Sequence, residues 1–319
     1  MANLKDLSKQ KALFTGGHRA CAGCGAVIIA RQVLMAAGPN TVVANATGCL
    51  EVVSTIFPYT AWNVPFVHSA FECAAASISG VEALYKSWVR QGKYNKKVNF
   101  IAFGGDGGTY DIGLQSLSGA MERGHNILYV CYNNEAYMNT GVQRSGATPK
   151  GADTTTAPVG KVKKGKEQFR KDLTEIMVAH KIPYAAQSVV GNWRDLTSKV
   201  EKALAMDGPK FINVFQPCRL GWSYDPEMTC EIGRLSVETC VWPLYEVVNG
   251  QYKVTKPKEK KPLVEWIKLQ GRFRHLLKPE NKQLLDELQT ATDKNWEDLL
   301  RKESLTSPAA EPKPSQTLR

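Results

Sequence analysis

VNFIAFGGDGGTYDIGLQSLSGAMERGHNILYVCYNNEAYMNTG, Val98 to Gly141, is the stretch from which the rest of the chain can be read. Val98 to Phe103 is a short apolar run ending in Gly104-Gly105-Asp106-Gly107-Gly108, the pattern of a buried strand entering a turn where backbone approaches a ligand closely. Asp111 to Met121 carries apolar residues at roughly helical spacing, and Ile127 to Tyr132 is a second apolar run of strand length. The unit is βαβ, and its crossover makes the two strands parallel. Ligands bind at the carboxyl ends of such strands. Asp106 stands at the first end and Asn133-Asn134 at the second. A carboxylate and an amide oxygen there, beside free glycine N–H groups, suit a hard octahedral cation such as Mg²⁺ carrying a pyrophosphate. A lone GDGG also has a plainer reading, a glycine turn that closes a strand.

The chain has 319 residues, enough for one large core or two small ones. Hydrophobic residues at 43% and charged residues at 22% are ordinary for a soluble globular protein. No stretch reaches the roughly 18 apolar residues of a membrane span, and Met1 to Lys11 is too polar for a secretory signal, so no membrane role and a cytoplasmic location are expected. The net charge of +11 is spread along the chain, with local density only at Lys161–Lys171 and Lys256–Lys261. No base-reading motif accompanies those runs, so nucleic acid is not an expected partner. Solvated loops or a surface for an acidic protein fit them better.

Eight cysteines in such a chain argue for metal, redox chemistry or packing rather than a disulfide framework. GGHRACAGCG, Gly16 to Gly25, contains Cys21-x-x-Cys24 and precedes a helical pattern from Ala26 to Ala37. A single CxxC among glycines can be a dithiol, half of a zinc site or part of an iron–sulfur site. The predicted strand Thr41–Ala46 ends in Thr47-Gly48-Cys49, and Cys218 follows the predicted strand Lys210–Phe215. Four thiolates gathered from these loops would satisfy a [4Fe–4S] cluster. Cys131 within a buried strand and Cys73 within a small-residue helix read as packing residues. Cys230 and Cys240 lie on a predicted helix, facing different sides, with no assigned role.

Phe71-Glu72-Cys73 starts a run of small residues through Ser79-Gly80 that opens a helix, Val81 to Arg90. Glu72 there reads as a helix-dipole residue rather than a catalytic acid. Gln143 to Lys171 is a long polar loop of the kind that is functional or mobile. A helix (Leu173–His180, with His180 as its cap), a strand (Tyr184–Val190) and a helix (Trp193–Asp207) follow. The fold class expected is α/β, a mostly parallel sheet flanked by helices, over residues 1–253. A linker around Pro257–Pro262 and a helical C-terminal arm, Leu263–Leu277 and Lys282–Lys302, occupy 254–306. Residues 307–319 should be disordered.

The Gly-Asp-Gly and Asn-Asn pair resembles the signature of thiamine pyrophosphate (TPP) enzymes. GHRACAGCG, ATGCLEVVSTIFPYTAW, the segment from Gly104 to Pro149 and IKLQGRF, Ile267 to Phe273, are together similar to the β subunit of pyruvate:ferredoxin and other 2-oxoacid:ferredoxin oxidoreductases. The similarity runs from Gly16 to Leu277, and it pairs the TPP motif with a scattered cysteine set that simpler TPP enzymes lack. It implies Mg²⁺ held by Asp106, Asn134 and the carbonyl of Ala136, and a [4Fe–4S] cluster held by Cys21, Cys24, Cys49 and Cys218. Contacts to the cofactor are implied for Gly48, Cys49, Gly105, Asp106, Gly107, Gly108, Asn134, Asn139 and Thr140. Asn139 matches an active-site amide near the thiazolium and the reacting carbonyl; its plainer reading is a turn residue. At Cys73 relatives usually have Asn or Asp after Phe-Glu, which puts a polar role there in doubt.

The resemblance further implies that the glutamate on the TPP aminopyrimidine comes from another subunit, so the isolated chain should be inactive. Partner subunits, among them a ferredoxin-like relay, together with ferredoxin, a 2-oxo acid and coenzyme A, complete the expected system. Pyruvate is the substrate it favours, with 2-oxoglutarate, branched 2-oxo acids and oxalate as alternatives. Two other classes stay open: a non-oxidative TPP decarboxylase or transferase subunit, which would carry no cluster, and an electron-transfer subunit with a degenerate TPP site.

Overall fold

The computed structural model of the chain describes residues 3–307. Eight strands form one sheet, β1 (Thr41–Ala46), β2 (Phe66–Ser69), β3 (Asn99–Gly105), β4 (Leu128–Asn133), β5 (Tyr184–Val189), β6 (Lys210–Phe215), β7 (Leu244–Val248) and β8 (Gln251–Thr255), in the order β2-β1-β3-β4-β6-β5-β7-β8. The first six are parallel, β7 runs antiparallel to β5, and β8 runs antiparallel to β7. β4, β5 and β6 are buried at every residue, as strands covered on both faces must be.

Alternation along the strands sends side chains to two apolar layers. Val43, Ile101, Val130 and Ile212 meet helices α2 (Gly25–Ala37) and α7 (Trp193–Ala205) on one face. Ala44, Ala102, Cys131 and Phe211 meet α4 (Ala74–Arg90), α5 (Leu114–Glu122) and α6 (Leu173–Ala179) on the other. Helix α4 begins seven residues before the sequence reading placed it, since the small residues Ala74, Ala75 and Ser79 pack inward beside Ile78. Strand β2 follows the aromatic and proline-containing segment FPYTAWNVP, residues 57–65, and carries no clear strand pattern in sequence.

The β7–β8 hairpin turns at Asn249 and Gly250, both with positive φ (48° and 83°). That is the type I′ geometry an Asn-Gly pair favours. Helix α11 (Lys282–Thr306) covers the exposed edge of β8, where Glu303 and Thr306 side chains accept from the Val254 and Tyr252 N–H groups. Helix α10 (Leu263–Ile267) and the segment Gly271–Leu277 pack Trp266, Ile267, Phe273 and Leu276 against Phe215, Trp222 and Trp242, so the arm shares a core with the sheet's end. Cys240 lies beyond helix α9 (Thr229–Glu238), at φ 59°, rather than on one helix with Cys230. Apart from Ser307, the tail expected to be disordered lies outside the described residues.

Candidate functional site

The strand order places β1, β3, β4 and β6 side by side, so the loops after four adjacent strands share one edge of the sheet. Cys49 follows β1, Asp106 follows β3, Asn134 follows β4 and Cys218 follows β6. Residues far apart in sequence therefore stand within a few strand spacings of about 4.8 Å.

Asp106 follows β3 directly and caps a short π-helical turn, Gly107–Ile112. Its carboxylate is 1% exposed. One oxygen accepts from the Asn134 backbone N–H at 3.2 Å and the other from the Ser145 hydroxyl at 2.5 Å. Burial pushes its pKa up to about 7, opposed by those bonds and reinforced by the Glu135 charge. A buried anion with no cationic partner of its own suits a cation ligand. Gly107 approaches the Tyr137 ring so closely that an added Cβ would lie 2.5 Å from it.

The Asn134 side chain, 5% exposed, sets one terminal atom of its amide 2.8 Å from the Ala136 carbonyl and 3.0 Å from Asp106 Oδ1; the other faces Gln216 Nε2 at 3.1 Å. With nitrogen turned inward these are three hydrogen bonds. With oxygen inward, three oxygens crowd together, an arrangement that a cation between them stabilises. The donor set sought from the sequence is thus brought to one point, and it fits Mg²⁺.

The loop after β4 is anchored from beneath. Glu135 has positive φ (63°) and a fully buried carboxylate, which pairs with Arg170 at 2.9 Å and Arg272 at 2.6 Å. Arg272, from IKLQGRF, stacks 3.5 Å above Trp222, whose Nε1 donates to the Asn134 carbonyl at 3.0 Å. The polar loop from Gln143 folds against the site through buried Ser145, Thr148 and Lys166, the last donating to the Thr148 carbonyl at 2.5 Å. Asn139 and Thr140 are exposed on the rim, where Thr140 bonds Gln143. Sequence reasoning passed over Ser145, Glu135, Arg272 and Gln216, whose partners are distant in sequence.

Three of the four thiols start helices. Cys24 precedes α2, Cys49 opens α3 (Cys49–Ser54) and Cys218 precedes α8 (Arg219–Trp222). Burial raises the Cys24 and Cys218 thiol pKa values, opposed by the nearby backbone N–H groups of Ala26 and Val27 at the first and of Gly221 and Leu220 at the second. Cys49 is pushed up to about 12 by burial and then by Cys218, Cys24 and Cys21. Cys49 thus feels the charges of the other three thiols, yet among the described residues no group of three or more His, Cys, Asp or Glu side chains is close enough to hold a metal ion as it stands. Thiols at helix starts, each in the field of backbone N–H groups and of one another, fit thiolate ligands of a cluster. The Gly23 carbonyl accepts from Thr229 at 2.7 Å, and only glycine fits there, at φ 74° against Pro226.

Other assignments sort differently. Cys131 is fully buried mid-strand, as a packing residue is, whereas Cys73 is a partly exposed residue before α4. His180 caps α6 and bonds the Ile176 carbonyl and Ser118, both at 2.8 Å. No helix among the described residues is long and apolar enough to cross a membrane.

Residues 46–214 match the family described as thiamine pyrophosphate enzyme, C-terminal TPP binding domain. The chain is 55% identical over 315 residues to pyruvate synthase subunit PorB of Thermotoga maritima, covering 95% of this chain and 97% of the relative. It is 57% identical over 266 residues to the subunit of that name from Methanocaldococcus jannaschii, covering 82% and 89%. Ketoisovalerate oxidoreductase subunit VorB of Pyrococcus abyssi is 44% identical over 289 residues, covering 90% and 92%. Among solved structures, 2-oxoglutarate:ferredoxin oxidoreductase from Magnetococcus marinus shares the fold, with a TM-score of 0.53 at 21% identity over 63% of this chain and 64% of that one. With identity of this level running along nearly the whole sequence, and a TPP-enzyme domain spanning the strands that carry Asp106 and Asn134, the chain belongs to the β-subunit family of pyruvate synthases and related 2-oxoacid:ferredoxin oxidoreductases.

Proposed function

We propose that this chain is the TPP-binding, cluster-bearing subunit of a cytoplasmic pyruvate synthase, which oxidises pyruvate with coenzyme A and passes electrons to ferredoxin. The observation that carries the reading is that one end of the Asn134 amide lies 2.8 Å from the Ala136 carbonyl and 3.0 Å from Asp106 Oδ1 at the β3–β4 strand ends. In this reading those three groups hold Mg²⁺, and backbone N–H groups of Gly105, Gly107 and Gly108 face the diphosphate. Gly48, Cys49 and Thr140 border the cofactor, and the exposed Asn139 amide donates to the substrate carbonyl. Cys21, Cys24, Cys49 and Cys218 hold a [4Fe–4S] cluster. Bound TPP supplies the carbon nucleophile and the cluster takes electrons one at a time; the protein contributes position and charge.

No carboxylate of this chain is assigned to the aminopyrimidine, and the proposal leaves that group to a partner subunit. A ferredoxin-like subunit would carry electrons onward. The complex purified anaerobically should reduce ferredoxin with pyruvate and coenzyme A, and should hold about four irons per copy of this chain if one such cluster is bound. The 44% identity to a ketoisovalerate oxidoreductase subunit supports a branched 2-oxo acid as the second reading. A higher kcat/KM for 2-oxoisovalerate than for pyruvate would select it.

A further inference from the structure

We propose that Gln216 is a positioning residue that keeps the outer end of the Asn134 amide bonded when its oxygen faces the cation, and so sets the affinity for Mg²⁺ and TPP. The proposal rests on the cation site described above and adds a residue that the TPP motif does not contain. Gln216 follows β6, is 2% exposed, and donates its backbone N–H to the Asn133 carbonyl at 2.8 Å. Its side chain reaches the outer end of the Asn134 amide at 3.1 Å. It is held there by Gly25, where an added Cβ would fall 2.7 Å from both Gln216 Cβ and Oε1.

An amide has one donor end and one acceptor end, so the two amides can satisfy each other in only two ways. In the first, Asn134 nitrogen points inward to Asp106 and Ala136, and its oxygen accepts from Gln216 Nε2. In the second, Asn134 oxygen points inward to the cation, its nitrogen points outward, and Gln216 must turn an oxygen to receive it. A cation can use only the second. Gln216 serves both because it too is an amide; an apolar side chain there unbonds the outward end in either orientation, and penalises the loaded state more, because a buried N–H without a partner is less tolerated than a carbonyl oxygen.

The test is a double-mutant cycle read by calorimetric titration of Mg²⁺ and TPP into the assembled complex. Gln216→Leu is expected to weaken Mg²⁺-dependent TPP binding about tenfold, because the unbonded N–H of the loaded orientation costs more than the unbonded oxygen of the other. In an Asn134→Asp background either carboxylate oxygen can face the cation, so Gln216→Leu should cost less than about threefold. Equal loss in both backgrounds, or no loss in the parent, overturns the proposal. Gln216→Glu keeps an acceptor and serves where the leucine variant fails to assemble. It should bind TPP at least as tightly as the parent, and tenfold weaker binding would overturn the proposal. If the parent complex itself shows no Mg²⁺-dependent TPP binding, the cation site falls, and this inference with it.

Discussion

Two halves of one sheet edge behave differently. Above β3 and β4 the Asn134 amide already lies within 3.0 Å of both Asp106 and the Ala136 carbonyl, locked by Ser145 and by the Glu135–Arg272 pair beneath. The thiols, by contrast, stand on three loops, before α2 and above β1 and β6, three of the four at helix starts, and Cys49 senses the others through charge. The difference follows from sequence distance. A π-turn and two neighbouring strands hold the oxygens, whereas the thiols come from three parts of the chain that meet only through the sheet. A site made of short-range parts is rigid before its ligand arrives, and one made of long-range parts depends on the ligand to complete it.

The largest effect that would break this comparison belongs to the oxygen side. Asp106→Ala in the assembled complex should weaken Mg²⁺-dependent TPP binding about 100-fold or more while iron content stays at the parent level. Retained binding by calorimetry would show that the buried carboxylate is not a ligand. On the thiol side, Cys49→Ser should lose iron and ferredoxin reduction while TPP affinity stays within about threefold of the parent, because the two donor sets sit on different loops. Cys131→Ala, deep in the other face, should keep iron and activity and cost about 1–2 kcal/mol of stability. Loss of iron in that variant with full iron in Cys49→Ser would reverse the assignment of thiols.

The scaffold beneath the oxygen side is sharpened by Arg272→Met. It leaves the buried Glu135 carboxylate with Arg170 alone and should cost about 3–5 kcal/mol in denaturant unfolding, with TPP affinity falling in step. The smallest effect lies away from both halves. Glu82, 1% exposed, is bonded by His125, Lys86 and the Asn126 N–H; these outweigh the burial that would raise its pKa and hold it below its ordinary 4.5. A depressed carboxyl stabilises above its unfolded pKa and loses that contribution as pH falls through the folded one. Glu82→Gln should therefore cost about 1 kcal/mol at pH 7, a difference that shrinks below about pH 4 in thermal scans.

What could be read from the sequence was local. The βαβ unit around Gly104–Gly108, strands β1 and β6, and helix α7 to within two residues all follow from periodicity and glycine placement over a dozen positions. The hairpin at Asn249-Gly250 was equally legible and was passed over, although Asn-Gly between apolar runs signals a type I′ turn. The resemblance singled out Asp106, Asn134 and four of the eight cysteines before any coordinates. Composition alone could not have separated Cys49 from Cys131, since a thiol at a helix start and a thiol packed mid-strand are the same residue in different fields.

The tertiary structure alone decided how these parts address one another. Only the strand order β1-β3-β4-β6 brings Cys49, Asp106, Asn134 and Cys218 to one edge. Ser145 on Asp106, Arg272 on Glu135 and Gln216 on Asn134 are partners drawn from 39, 137 and 82 positions away, with the last counted as 216 minus 134. No pattern of spacing predicts such pairs, because a buried polar group is satisfied by whatever donor the fold delivers to it, and the fold is set by apolar packing spread over the whole sheet.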